Sequence, residues 1–95
     1  MKTEREKMVA GQFYIAADPE LRHMRKTARQ QMQVFNNELD GAKRSEILKT
    51  LFGKTGNRIY MEPNFYCDYG SNIHVGEDFY ANFNCTMLDV CPIRI

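Results

Sequence analysis

From Met61 onward every sixth residue is apolar: Met61, Cys67, Ile73, Phe79, Cys85 and Cys91. A second series two positions later runs Tyr69, Val75, Ala81, Met87 and Ile93, opened by Pro63. The positions between are mostly polar or glycine, as in Asp68, Gly70, His74, Gly76, Tyr80, Asn82 and Thr86. A meander of ordinary strands does not hold one phase over five repeats. Two inward positions per six residues, with Gly or Asn at the bends, describe the coils of a hexapeptide β-helix. Three such repeats make a coil, so residues 18 apart are expected to lie one above the other. That places Cys67 over Cys85. Coils stack at strand spacing, roughly 4.8 Å, and two reduced, inward thiols in contact are the expected arrangement.

Before residue 58 the pattern is helical. Thr3 and Glu6 have capping-box spacing, and Gly11 is a stop. Asp18-Pro19 is a second start, with the carboxylate as N-cap and proline at the first helical position. Leu21, Met24, Ala28, Met32, Phe35 and Leu39 then recur at steps of three and four, which keeps them on one face. That helix is expected to end near Asp40-Gly41. A third, over 43–52, carries Ile47, Leu48, Leu51 and Phe52 on one side and stops at Gly53. The predicted class is α+β. Residues 1–57 form a helical segment of about three helices, and 58–95 form the first coils of a parallel β-helix.

Composition narrows the function. Thirteen Lys+Arg against twelve Asp+Glu give a net charge of +1, without the basic excess of a dedicated nucleic-acid binder. No apolar run approaches the length of a membrane span. Met1–Lys7 is charged and leads into no apolar stretch, so no signal peptide and a cytoplasmic location are expected. Three cysteines without a CxxC fit reduced, buried thiols, not a metal site.

The Tyr14…Asp18-Pro19-Glu20-Leu21 segment, Phe35-Asn36, Tyr69-Gly70-Ser71-Asn72-Ile73-His74-Val75-Gly76 and Phe79-Tyr80-Ala81-Asn82-Phe83-Asn84-Cys85…Leu88-Asp89 together resemble the maltose and galactoside O-acetyltransferases. These are hexapeptide-repeat acyltransferases, and the resemblance covers essentially the whole chain. It implies a left-handed β-helix, a homotrimer, and transfer of acetyl from acetyl-CoA to a sugar hydroxyl, with no metal. It implies that Asn82 supports the oxyanion. Tyr80, Asp68, Asp89 and Arg25 correspond to residues that line or support the acceptor pocket.

Two departures matter. Relatives carry an acid close behind the Tyr of the first link, where this chain reads Tyr14-Ile15-Ala16-Ala17-Asp18. Nor does either His23 or His74 match the family's general base, whose position lies beyond residue 95. His23 sits among Arg22, Arg25 and Lys26, and His74 alternates with inward Ile73 and Val75, so both read as surface residues. The 95 residues therefore read as the N-terminal portion of such an enzyme, with no CoA-binding coils and no activity expected from the portion alone. The competing reading is a non-catalytic module for self-association or partner binding.

Overall fold

A computed structural model describes residues 1–95. The N-terminal half is built by its caps. Helix α1 (Glu4–Val9) opens on a reciprocal box: Glu6 N–H donates to Thr3 Oγ1 at 3.1 Å and Thr3 N–H to Glu6 Oε1 at 2.8 Å. Helix α2 (Pro19–Asn37) opens on the Asp18 carboxylate, which accepts from the Glu20 and Leu21 amides. Leu21, Ala28, Met32 and Phe35 are buried along one face.

That face stops earlier than its periodicity suggests. Leu39 is 94% exposed, because α2 ends at Asn37 and Glu38 is already extended. Asp40 belongs to the next helix: its Oδ1 accepts from Ala42 N–H at 2.8 Å and Lys43 N–H at 3.4 Å, so α3 runs Gly41–Leu51. Local capping by a carboxylate outweighs one more apolar step.

Six short strands follow: β1 (Ile59–Met61), β2 (Phe65–Cys67), β3 (Ile73–His74), β4 (Phe79–Ala81), β5 (Cys85–Met87) and β6 (Ile93–Arg94). Each pairs in parallel with the third strand after it: β1 with β4, β2 with β5, β3 with β6. The chain thus visits three sheets in order, twice. The expected 18-residue stacking is wrong by two. Ile59 faces Phe79, Phe65 faces Cys85 and Ile73 faces Ile93, each 20 residues apart. Cys67 therefore lies opposite Met87, not Cys85. The two added residues sit in the corners 68–72 and 88–92. An insertion of two leaves the inward–outward alternation of a strand unchanged, so the apolar phase survives while the stacking shifts. Cys91, expected inward, lies in the second widened corner and is exposed. Tyr69 is buried against Met8 and Leu21 of the helices, not inside the coil.

One core joins both halves. Ala28, Met32, Phe35, Leu48, Leu51 and Phe52 from the helices meet Ile59, Met61, Phe65, Cys67, Ile73 and Val75 from the coil. Phe65 sits at its centre, edge-on to Phe35 and Phe52 with ring centroids 6.3 and 5.6 Å away. The first widened corner needs Gly70, whose φ is +78° and where a Cβ would collide with the Leu51 side chain.

Candidate functional site

The five residues singled out in the sequence fall on two corners of the coil. Tyr80 and Asn82 lie at the β4 corner. Asp68, Asp89 and Arg25 lie at the widened corner against α2.

At the first corner Tyr80 stands directly over Tyr60 in the strand register, and the rings stack at 5.7 Å with 10° between planes. Tyr60 is fixed beneath it. Buried Arg44 donates to the Tyr60 hydroxyl at 2.8 Å, and that hydroxyl donates to Glu62 Oε1 at 2.7 Å. The Glu62 hydrogen bond, helped by burial, holds the Tyr60 hydroxyl above the usual phenol range. Arg44 also donates to the Glu38 carbonyl at 2.9 Å, where α2 ends. Sequence reading did not select Arg44, Tyr60 or Glu62. Their partners lie on different elements, and the expected 18-residue stacking would set Tyr60 under Asp78, not Tyr80. Asn82 follows Tyr80 in an exposed turn. Its Oδ1 accepts from Phe83 N–H at 2.8 Å. A backbone N–H only donates, so this contact engages the amide oxygen, and the NH₂ makes no hydrogen bond within the chain.

The second corner is organised by Asp89, which is completely buried. Oδ1 accepts from the amides of Asp68 (3.1 Å) and Tyr69 (2.9 Å), and Oδ2 from that of Asn72 (3.2 Å). Its own carbonyl accepts from Asn72 Nδ2 at 2.8 Å. The carboxylate is thus spent on tying the two widened corners together, so Asp89 supports the corner and presents no acceptor of its own outward. Tyr69, unselected by sequence reading, passes that rigidity on: its hydroxyl accepts from Arg25 Nη1 at 2.8 Å, while Arg25 Nη2 reaches the Ala16 carbonyl at 2.8 Å. Arg25 is therefore held between the coil and the α1–α2 link.

Asp68 remains partly open beside it. Burial and the Asp89 charge raise its pKa above the ordinary carboxylate value, against the opposing pull of Arg25 and Arg29. The folded chain then holds the Asp68 proton more tightly than the unfolded one. Its contribution to stability is full below the unfolded pKa, about 3.9, and is lost as pH rises through the higher folded value. Asp68→Asn is expected to melt higher than the parent at pH 7, with the gap closing near pH 3.5 in thermal scans. A lower melting temperature at pH 7 would contradict this.

Cys67 lies close by but is shielded. Its Sγ is 3.7 Å from Met32 Sδ, and burial, then Asp89 and Asp68, push the thiol up to about 12. Iodoacetamide at pH 8 is expected to label exposed Cys91 while Cys67 stays unmodified, as peptide mass spectrometry would read. Equal labelling rates would refute the shielding. The largest cleft, about 590 Å³ between α2 and β2, contains none of the five residues. Asn36 on its wall spends both ends of its amide on the Phe65 backbone. His23 is exposed on α2, and His74 is half-buried on β3 with its ring close to Gly53; neither makes a side-chain hydrogen bond or ion pair.

Residues 7–56 match the family model described as the maltose acetyltransferase hexapeptide capping motif. The chain belongs to the maltose and galactoside O-acetyltransferase family. It is similar to a maltose O-acetyltransferase from Clostridium difficile 630, at 47% identity and a TM-score of 0.92 over 96% of this chain and 50% of that one. A galactoside acetyltransferase in complex with coenzyme A superposes with a TM-score of 0.89 at 32% identity, over 99% of this chain and 48% of the other. Nodulation protein L of Rhizobium meliloti is 40% identical over 96 residues, which are 99% of this chain and 52% of the relative. The chain spans about half the length of the curated relatives it matches. Several of its relatives are named as acetyltransferases, and no helix in this chain is long and apolar enough to cross a membrane.

Proposed function

We propose that these residues form the acceptor-facing part of an acetyl-CoA-dependent O-acetyltransferase that acts on a sugar hydroxyl. In this reading 58–95 are the first coils of a left-handed parallel β-helix, capped by 1–57, and the working unit is a cytoplasmic homotrimer. The observation that carries the proposal is the hydrogen bonding of Asn82. Its oxygen is tied to the Phe83 amide, which leaves its NH₂ without a partner in the chain, two residues beyond the exposed, stacked ring of Tyr80. Acyl transfer places negative charge on a tetrahedral oxygen, and a preorganised N–H donor stabilises that charge. The flat Tyr80 face suits the apolar side of a pyranose ring. Asp68 and Arg25 add a carboxylate and a guanidinium for hydroxyl groups, and Asp89 keeps their corner in place.

The two corners lie on different sides of one coil, and a neighbouring subunit is the simplest way to bring them to one acceptor. The complex of the galactoside acetyltransferase with coenzyme A supports acetyl-CoA as the donor. The test follows CoA release from acetyl-CoA with maltose, glucose and a galactoside. A protein in which these 95 residues continue to the length of the relatives is expected to turn over. The 95 residues alone are not, since they offer no histidine partnered for base catalysis. Acceptor-independent CoA release by the longer protein would refute a sugar acetyltransferase.

A further inference from the structure

The exposed side of α2 carries a basic groove of about 320 Å³, lined by Arg22, Arg25, Lys26, Arg29, Gln30 and Gln33 and by no apolar or acidic side chain. The chain's four ion pairs are Arg5–Glu20, Lys7–Glu4, Lys49–Glu46 and Arg58–Asp78, so none of the groove cations is in a direct ion pair, and the only carboxylate whose charge Arg25 and Arg29 are seen to act on is Asp68. Residues 22, 25, 26 and 29 stand three and four apart, where like charges on a helix repel one another. Four of the thirteen Lys+Arg of a chain with net charge +1 are thus gathered on two turns of one helix. An anion in the groove relieves that repulsion. The groove also borders the candidate acceptor corner, because Arg25 is anchored there on Tyr69 and both Arg25 and Arg29 act on the Asp68 charge.

We propose that this groove binds the negatively charged substituent of the acceptor, so that the acceptor is an anionic sugar: a hexose bearing phosphate, sulfate or carboxylate. This rests on the acceptor reading given above. The dimensions select a small ligand over a polyanion. From Arg22 to Gln33 the helix rises about 16 Å, and the volume lies at the lower end of small-molecule sites, about 300–1,000 Å³. The guanidinium groups of Arg22 and Arg29 offer paired N–H donors that match phosphate, sulfate and carboxylate oxygens, while Arg25, held on Tyr69 and the Ala16 carbonyl, adds its charge.

Calorimetric titration of the 95-residue chain tests this with glucose 6-phosphate, glucuronate, glucose and inorganic phosphate. Both anionic sugars are expected to bind about tenfold more tightly than glucose at low salt, and to lose most of that margin at about 0.2 M salt. The combined Arg22→Gln, Lys26→Gln and Arg29→Gln variant should abolish the margin. Lys26→Glu, a single change at an exposed helix position, should reduce it if the triple variant fails to fold. Equal affinity for glucose and glucose 6-phosphate overturns the anionic acceptor and leaves the sugar reading standing. Binding of no sugar at all removes the acceptor corner along with it. Inorganic phosphate as tight as glucose 6-phosphate makes this an anion site unrelated to an acceptor. Loss of self-association in the triple variant, seen by light scattering, makes it a subunit contact. Either result overturns the proposal.

Discussion

Asp89→Ala is expected to lower the stability of the chain by about 3–5 kcal/mol, the range for stripping a partner from a buried charged network. Asp89 is completely buried and its two oxygens accept three backbone amides, from Asp68, Tyr69 and Asn72. Alanine leaves those donors facing a void, and each buried unsatisfied group costs about 1–3 kcal/mol. Domains of this size have roughly 5–15 kcal/mol in total, so the variant should sit close to its unfolding midpoint in mild urea. Asp89→Asn keeps the shape and one oxygen but points an NH₂ at a donor, and should fall between the two. Urea unfolding followed by far-ultraviolet circular dichroism gives the midpoints. A midpoint for Asp89→Ala within a few tenths molar of the parent would show the corner to be held by other means. Loss of sugar binding at unchanged stability would return Asp89 to a direct role in the acceptor pocket.

That network also shows what the sequence could and could not reveal. The caps were readable because each is a contact within three residues: Thr3 with Glu6, and Asp18 with the amides just after it. The inward phase of the coil was readable because strand alternation has a period of two. The same parity concealed the coil length, since two extra residues at 68–72 and at 88–92 change the stacking from 18 to 20 without disturbing the pattern of apolar positions. Asp89, Arg44 and Tyr69 act across the fold: the contacts Asp89–Asn72, Arg44–Tyr60 and Tyr69–Arg25 join residues 17, 16 and 44 apart in the chain. No local rule marks such contacts. Asn82 by itself reads as a turn residue, and only its resemblance to the family suggested an oxyanion donor. The orientation of its amide, with the oxygen bound back to Phe83, is a property of the folded turn.

Asn82→Ala, placed in a protein that continues these residues to the length of the relatives, is expected to lower the rate of acetyl transfer by about 10²–10³. KM for the sugar should change little. The reason for the split is that, in the proposed role, the NH₂ would meet the acyl oxygen only when charge develops on it, so its loss would raise the barrier without weakening the ground-state complex. Tyr80→Ala should show the opposite division. It removes the exposed ring stacked on Tyr60, which in the proposed site would contact the acceptor before and during reaction, and so it should raise KM more than it lowers kcat. Tyr60→Phe gives a third point. It keeps the stack but releases Arg44 and Glu62 from the hydroxyl they share, and should fall between the parent and Tyr80→Ala in KM. The decisive comparison is Asn82→Ala with Asn82→Asp. The aspartate retains an oxygen for the Phe83 amide, and so preserves the turn, but replaces the NH₂ donor with a negatively charged acceptor. If the role of Asn82 is to stabilise a developing oxyanion, aspartate must be at least as damaging as alanine. If Asn82 only shapes the turn, aspartate should restore activity, and the oxyanion assignment is then wrong.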